Sequence, residues 1–146
     1  MKRRILVATD GSEAADHAVD YAAGLAKREG ADLLIANVIG GYGLPDGVFT
    51  HVIYTGQASL KEMLDSISAE TLTKARERAR AAGADSIQLE SRAGDVAEAV
   101  IDIAKEKAAD VIVAGKRGAG PVERLLLGSV SRKLVNLAPV PVIVVP

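Results

Sequence analysis

There is no cysteine in the 146 residues. A disulfide framework, a thiolate zinc site and a cysteine nucleophile are therefore excluded. Histidine is nearly as scarce, with only His17 and His51. Neither has a second histidine or a carboxylate at ligand spacing, so no metal site is expected. An excess of charge is missing too, with 18 Lys and Arg against 19 Asp and Glu and a net charge of −1. That balance leaves no electrostatic footprint for nucleic acid or for an anionic membrane. No apolar run approaches the length of a membrane span. The start, Met1-Lys2-Arg3-Arg4, is basic, but the apolar run behind it ends at Ala8 and Asp10 closes it, which is too short for a signal peptide. A cytoplasmic location follows by default. Three nucleotide and catalytic motifs are absent as well. Gly115-Lys116 is followed by Arg117, so there is no P-loop. Gly118-Ala119-Gly120 is followed by Glu123 where a dinucleotide fingerprint needs its third glycine. No G-x-S-x-G nucleophile elbow occurs.

What is present is an ordinary globular composition, 49% apolar and 25% charged, at a length that predicts one domain over residues 1–146. Arg4 to Thr9 is a continuous apolar run, as in a strand covered on both faces. Asp10-Gly11-Ser12 breaks it, with Ser12 as a helix N-cap and Glu13 favourably placed in the first turn. Ala15, Ala18, Val19, Ala22, Leu25 and Ala26 recur at helical spacing, and Gly30 stops that helix. Ala31 to Ile39 reads as a second buried strand. The stretch 40–57 is glycine-rich and long, which predicts a functional lid or a variable loop. Leu60, Met63, Leu64, Ile67, Leu72, Ala75, Ala79 and Ala82 mark a long amphipathic helix ending at Gly83. The charge run Lys74 to Arg78 reads as its solvated face. Ser86 to Ser91 alternates polar and apolar, as an edge strand does. Asp95 and Glu98 have capping-box spacing ahead of a helix striped by Val96, Ala99, Val100, Ile103 and Ala104. Asp110 to Ala114 is another buried strand, Val130 to Leu137 a helix, and the Pro-flanked Val142 to Val145 a strand that belongs at an edge or an interface. The alternation β-α-β-α-β-α-β-α-β predicts a parallel sheet with helices on both faces.

Between the fourth strand and the last helix lies the stretch with most chemical content. Gly115, Gly118 and Gly128 let a ligand approach the main chain closely. Gly128-Ser129 leads into a helix, whose free N–H groups and positive dipole end suit phosphate. Ser129 adds a hydroxyl, and Lys116 and Arg117 add positive charge. Ligands of open α/β sheets bind beyond the carboxyl ends of the strands where the strand order reverses. Ala8, Thr9 and Asp10 end the first strand, Val38 the second and Gly115 the fourth. If strands one and four are neighbours, the crevice opens between Asp10 and Gly115. Alone, Asp10 reads as a turn or capping residue. Opposite a glycine-rich loop, its carboxylate is placed to accept hydrogen bonds from ribose hydroxyls.

The spacing Gly115, two residues, Gly118, nine residues, Gly128-Ser129 resembles the ATP-binding signature of the universal stress protein (UspA-like) family. The start Ile5-Leu6-Val7-Ala8-Thr9-Asp10-Gly11-Ser12 and the ending Pro139-Val140-Pro141-Val142-Ile143-Val144-Val145 resemble its first and last strands, so the likeness covers nearly the whole chain. The resemblance implies a doubly wound five-stranded parallel α/β sheet in the order 3-2-1-4-5, adenine nucleotide alpha hydrolase-like. It implies the subclass that binds ATP, with or without Mg²⁺. By the same resemblance Asp10 would contact the ribose and Val38 the adenine, partly through its backbone. Gly115 would lie near the ribose, and Gly118, Gly128, Ser129 and Val130 would surround the phosphates, with Ser131 nearby. The strand Val140–Val145 would pair across a homodimer. Ala8 departs from the proline common before the Thr-Asp pair, and Lys116-Arg117 departs from smaller or neutral residues.

A binding site is not an ATPase. Glu123 is the one carboxylate of the glycine-rich stretch, and beside Arg124 it reads as a surface ion pair. The reading is a nucleotide-binding stress-response module without dedicated catalysis. Its alternatives are a slow ATPase or autophosphorylating protein using Ser129 or Ser131, and a nucleotide-independent dimer that recruits a partner.

Overall fold

Strict alternation of side-chain direction along each strand divides the apolar residues into two sets, and each set meets its own pair of helices. The computed structural model describes residues 2–40, 58–116 and 127–146. In chain order the elements are β1 (Arg4–Ala8), α1 (Glu13–Glu29), β2 (Asp32–Ile39), α2 (Ala58–Ala81), β3 (Ile87–Ala93), α3 (Val96–Glu106), β4 (Val111–Gly115), α4 (Ser129–Leu137) and β5 (Val142–Val145). Ile5, Val7, Leu33, Ile35, Val111 and Val113 pack under α1 and under Leu72, Ala75 and Ala79 of α2. Leu6, Leu34, Ala36, Ile112 and Ala114 pack over Ala97, Val100, Ile103 and Ala104 of α3 and Leu134 of α4. Each fully buried Val, Leu or Ile contributes about 1.5–3 kcal/mol.

The sheet is parallel, in the order β3-β2-β1-β4-β5, as the resemblance implied. The order reverses between β1 and β4, paired through Ile5–Val111, Leu6–Ile112 and Val7–Val113. β3 and β5 form the edges, where the alternation of one and the prolines of the other had placed them. β3 runs past Ser91 to Ala93 because β2 continues alongside it to Ile39. β5 begins at Val142, after Pro141, which has no N–H to give but accepts one from Ile112 at 3.0 Å.

Caps fall where the sequence placed them. The Ser12 hydroxyl accepts the Ala15 N–H at 3.3 Å, and the Asp95 carboxylate accepts that of Glu98 at 3.0 Å. Gly30 closes α1 in the left-handed region at φ 64°. The charge run on α2 does more than meet solvent. Arg78 donates to both carboxylate oxygens of Asp20 at 2.8 Å and so ties α2 to α1. Arg92 makes the corresponding clamp at the β3 edge, donating to Glu90 and to Glu106 at the end of α3. Among the described residues no helix is long and apolar enough to cross a membrane.

One contact ties the fold directly to the crevice. A Cβ added to Gly115 would lie 2.9 Å from the carbonyl carbon and oxygen of Ala14, so β4 ends against the first turn of α1 with no room for a side chain. Gly115→Ala is expected to lower stability by about 1–3 kcal/mol, read from chemical denaturation, because backbone must move to admit the methyl group. The Arg92 hydrogen bond, with its charge, holds the Glu106 carboxyl below its ordinary range. That contribution is complete above the unfolded carboxyl pKa, about 4.3, and is lost as pH falls through the lower folded value. The difference in Tm between wild type and Glu106→Gln should therefore close on acidification and persist at neutral pH.

Candidate functional site

Parallel pairing aligns the carboxyl ends of β1, β2 and β4 on one rim of the sheet. Thr9 follows the last residue of β1, and its N–H still bonds to Ala36 O of β2 at 2.9 Å. The chain then turns sharply. Gly11, at φ 81°, donates to Thr9 Oγ1 at 3.1 Å, and Ser12 donates to Asp10 Oδ1 at 2.9 Å. Asp10 is thus a turn residue, as its sequence context suggested, and the same turn holds it exposed at the rim. Ala8 is half-buried behind it, and Val38, 8% exposed, packs into the layer beneath α3 and α4.

On the other side of the reversal β4 ends at Gly115, and the described chain resumes at Leu127. Lys116 O joins the end of β4 to the start of α4. It accepts the N–H of Gly128 at 2.8 Å and the hydroxyl of Ser131 at 2.9 Å. Lys116 N bonds to Val145 O at 2.6 Å, so the same residue is also held by β5. The start of α4 is consequently fixed beside the end of β4. Gly128 is its N-cap, in extended conformation, and has no side chain to bond the helix start. The first intrahelical bond runs from Arg132 N to Gly128 O at 3.0 Å. The N–H groups of Ser129, Val130 and Ser131 therefore have no acceptor within the helix.

The structure brings Ala8, Thr9, Asp10, Val38, Gly115, Lys116, Gly128, Ser129, Val130 and Ser131 to the rim at the strand-order reversal. Arg117, Gly118, Glu123 and Arg124 lie outside the described residues, as do His51 and positions 41–57. Ser129 is exposed at the helix tip. Ser131 is different: it is 2% exposed, and its hydroxyl points back to Lys116 O and Gly128 O. It serves as a staple of the loop base, with its hydroxyl turned away from the tip.

Three residues at this rim carried no motif. Asn37, Ser68 and Ser91 are joined by hydrogen bonds, and Asn37 reaches Thr9 O at 2.8 Å. The available signal was a lone amide inside the apolar run of β2. On the far side of the Asp10 turn, between α1 and α2, is a cavity of about 500 Å³ lined by Asp10, Gly11, Thr71, Lys74 and Arg78 among others. It carries ion pairs, Lys74 with Glu70 at 3.0 Å and Arg78 with Asp16 at 3.8 Å. Among the described residues no group of three or more His, Asp or Glu is placed to hold a metal ion.

This geometry has close counterparts. The model of the universal stress protein family matches residues 1–146. Universal stress protein YxiE of Bacillus subtilis is 32% identical over 148 residues, covering 99% of each chain. A universal stress protein solved in complex with cAMP is 28% identical, with a TM-score of 0.71 over 99% of this chain and 96% of its own. The universal stress protein from Archaeoglobus fulgidus in complex with dAMP is 28% identical, with a TM-score of 0.67 over 99% of this chain and 98% of its own. With a doubly wound parallel sheet and a family match over residues 1–146, the chain belongs to the universal stress protein family.

Proposed function

We propose that this protein binds ATP in the crevice between β1 and β4 and acts as a nucleotide-dependent stress-response module with no catalysis of its own. The observation that carries this reading is the start of α4. A helix N-terminus capped by glycine, with three N–H groups left over, is held by Lys116 O at the reversal of the sheet. Such a tip favours phosphate by direct donation and by the helix dipole. Two structural relatives were solved with adenine nucleotides, which agrees with a site for that class of ligand.

In this reading the main-chain N–H groups of Ser129 and Val130 face the phosphates and the Ser129 hydroxyl adds a donor, while Gly128, whose own N–H is taken by Lys116 O, leaves room for their close approach. Asp10 accepts from the ribose hydroxyls. Val38 borders the adenine, with Gly115 and Lys116 beside the sugar. Arg117 and Gly118 complete the loop by the spacing of the motif. Mg²⁺, where it accompanies ATP, would be carried by the phosphates. An ATPase needs a base and a positioned water. In this reading Asp10 is engaged with the ribose, and its Oδ1 also accepts the Ser12 N–H.

The assembly we propose is a cytoplasmic homodimer paired through β5. An edge strand presents unpaired main-chain groups unless something covers it. Val142 to Val145 are only half-buried, and Val135 and Leu137 of α4 are 52% and 60% exposed. A two-fold axis at that edge covers both strands at once.

Nucleotide content, binding and assembly state test these readings. Protein purified, denatured and analysed by mass spectrometry is expected to release an adenine nucleotide, and calorimetry should show ATP binding to protein stripped of it. Ser129→Asp places a negative charge in the first turn, which favours the helix by about 0.3–1 kcal/mol while repelling phosphate. It should leave Tm unchanged or raised and weaken ATP roughly tenfold or more, a loss of about 1.4 kcal/mol, with adenosine binding unaffected. A protein that carries no nucleotide and ignores added ATP removes the proposal. Light scattering should give twice the chain mass; a monomer at high concentration removes the dimer.

A further inference from the structure

Asn37 is the one polar residue in the buried stretch Leu33–Ile39 of β2, and it is 3% exposed. A polar group so deeply placed is tolerated only when its hydrogen bonds are made. Both ends of this amide are bonded. Nδ2 donates to Thr9 O at 2.8 Å. A carbonyl can only accept, so this contact sets the orientation of the amide and turns Oδ1 toward Ser68. The Ser68 hydroxyl, 1% exposed, donates to Oδ1 at 2.7 Å. Its oxygen lies 2.8 Å from Ser91 Oγ, which supplies the remaining hydrogen. The chain of bonds thus runs from the edge strand β3 through α2 and β2 to the end of β1.

Its final contact falls on the peptide that leads into Asp10. The N–H of Thr9 is held by a main-chain bond to Ala36, and its C=O by the side chain of Asn37. The two peptide planes that flank Thr9 are therefore each held from β2, Ala8–Thr9 through the Thr9 N–H and Thr9–Asp10 through the Thr9 C=O. The second of these planes, held by Asn37, bears on the direction in which the Asp10 side chain leaves the backbone. The local bonds Gly11 N to Thr9 Oγ1 and Ser12 N to Asp10 Oδ1 finish the turn.

We propose that Asn37 is a positioning residue for sugar recognition: by holding the Thr9 carbonyl it sets the Asp10 carboxylate toward the vicinal hydroxyls of a ribose, and Ser68 and Ser91 hold Asn37. This assignment rests on the ribose role of Asp10 in the nucleotide reading. It predicts that preference for a ribose over a sugar without hydroxyls depends on a side chain that touches no nucleotide.

The test is calorimetric titration of the full chain with ATP and with 2′,3′-dideoxy-ATP, for wild type, Asp10→Ala, Asn37→Ala and Ser68→Ala. Wild type should prefer ATP by about tenfold, the scale of one hydrogen bond to a charged group. Asp10→Ala should abolish the preference, and Asn37→Ala should reduce it to about twofold. Ser68→Ala should fall between, and dideoxy-ATP should bind all four within about twofold. In ligand-free protein, the Ser12 amide should exchange faster in Asn37→Ala while the amides of Leu6 and Leu34 keep their protection. An undiminished preference in Asn37→Ala, or equal losses for both nucleotides, overturns the positioning role. If Asn37→Ala does not fold, an undiminished preference in Ser68→Ala does the same. A wild type without preference, or an Asp10→Ala that keeps it, sinks the ribose reading itself and this proposal with it.

Discussion

The pairing of β1 with β4 is the constraint on which the site depends. These two strands are separated by some hundred residues, and three register pairs bring them together at the centre of the sheet. On one side of that seam the chain leaves toward α1, and on the other it leaves toward α4. At such a reversal the two connections depart in opposite directions, and this is where open α/β sheets carry their ligand crevices. The seam is buried on both faces, with Ile5, Leu6, Val7, Ile112 and Val113 fully covered. A ligand at the rim therefore rests on a dry and well-packed floor.

What frames the crevice is a small number of main-chain carbonyls. Lys116 O gathers an amide and a hydroxyl from the start of α4, while the Lys116 N–H reaches β5. Thr9 O gathers the amide of Asn37. In both places a carbonyl just beyond a strand end, where the ladder would otherwise stop, receives a donor from another element. The start of α4 is thus tied to the end of β4, and the end of β1 to β2. Gly115 is needed in the same frame for a steric reason, since the first turn of α1 lies against its Cα.

Small residues set how closely these layers approach. The buried face of α1 is Ala15, Ala18, Val19, Ala22, Ala23 and Ala26, five alanines and a valine. An alanine face lets the helix axis sit near the sheet, which in turn presses α1 against the end of β4. The opposite layer mixes alanines with larger groups, among them Val100, Ile101, Ile103 and Leu134. Close approach is thus concentrated on the layer that carries the Asp10 turn.

Much of this was legible in the residues alone. Hydrophobic runs of strand length, helical spacing of alanines and valines, and the caps Ser12, Gly30 and Asp95 define elements through contacts within a few residues of one another. For that reason the alternation of strands and helices, the edge character of β3 and β5 and the family likeness were all readable before any coordinates. The glycine and serine spacing from Gly115 to Ser129 likewise marked the loop and the helix tip. Contacts between distant segments were not readable, because nothing local encodes them. The resemblance put Ser131 only near the phosphates, and the packing of α4 beside β4 turns its hydroxyl inward to Lys116 O. Asn37 carried no reading within the buried strand, and only the approach of α2 supplied Ser68 to its amide, with Ser91 of β3 bonded to Ser68 in turn. The sequence by itself determined the elements and the chemistry each could offer, since propensity, capping and periodicity act over short range. Tertiary structure alone decided which hydroxyls stay at the rim and which become staples, since a polar group's role follows from the partner that burial brings to it.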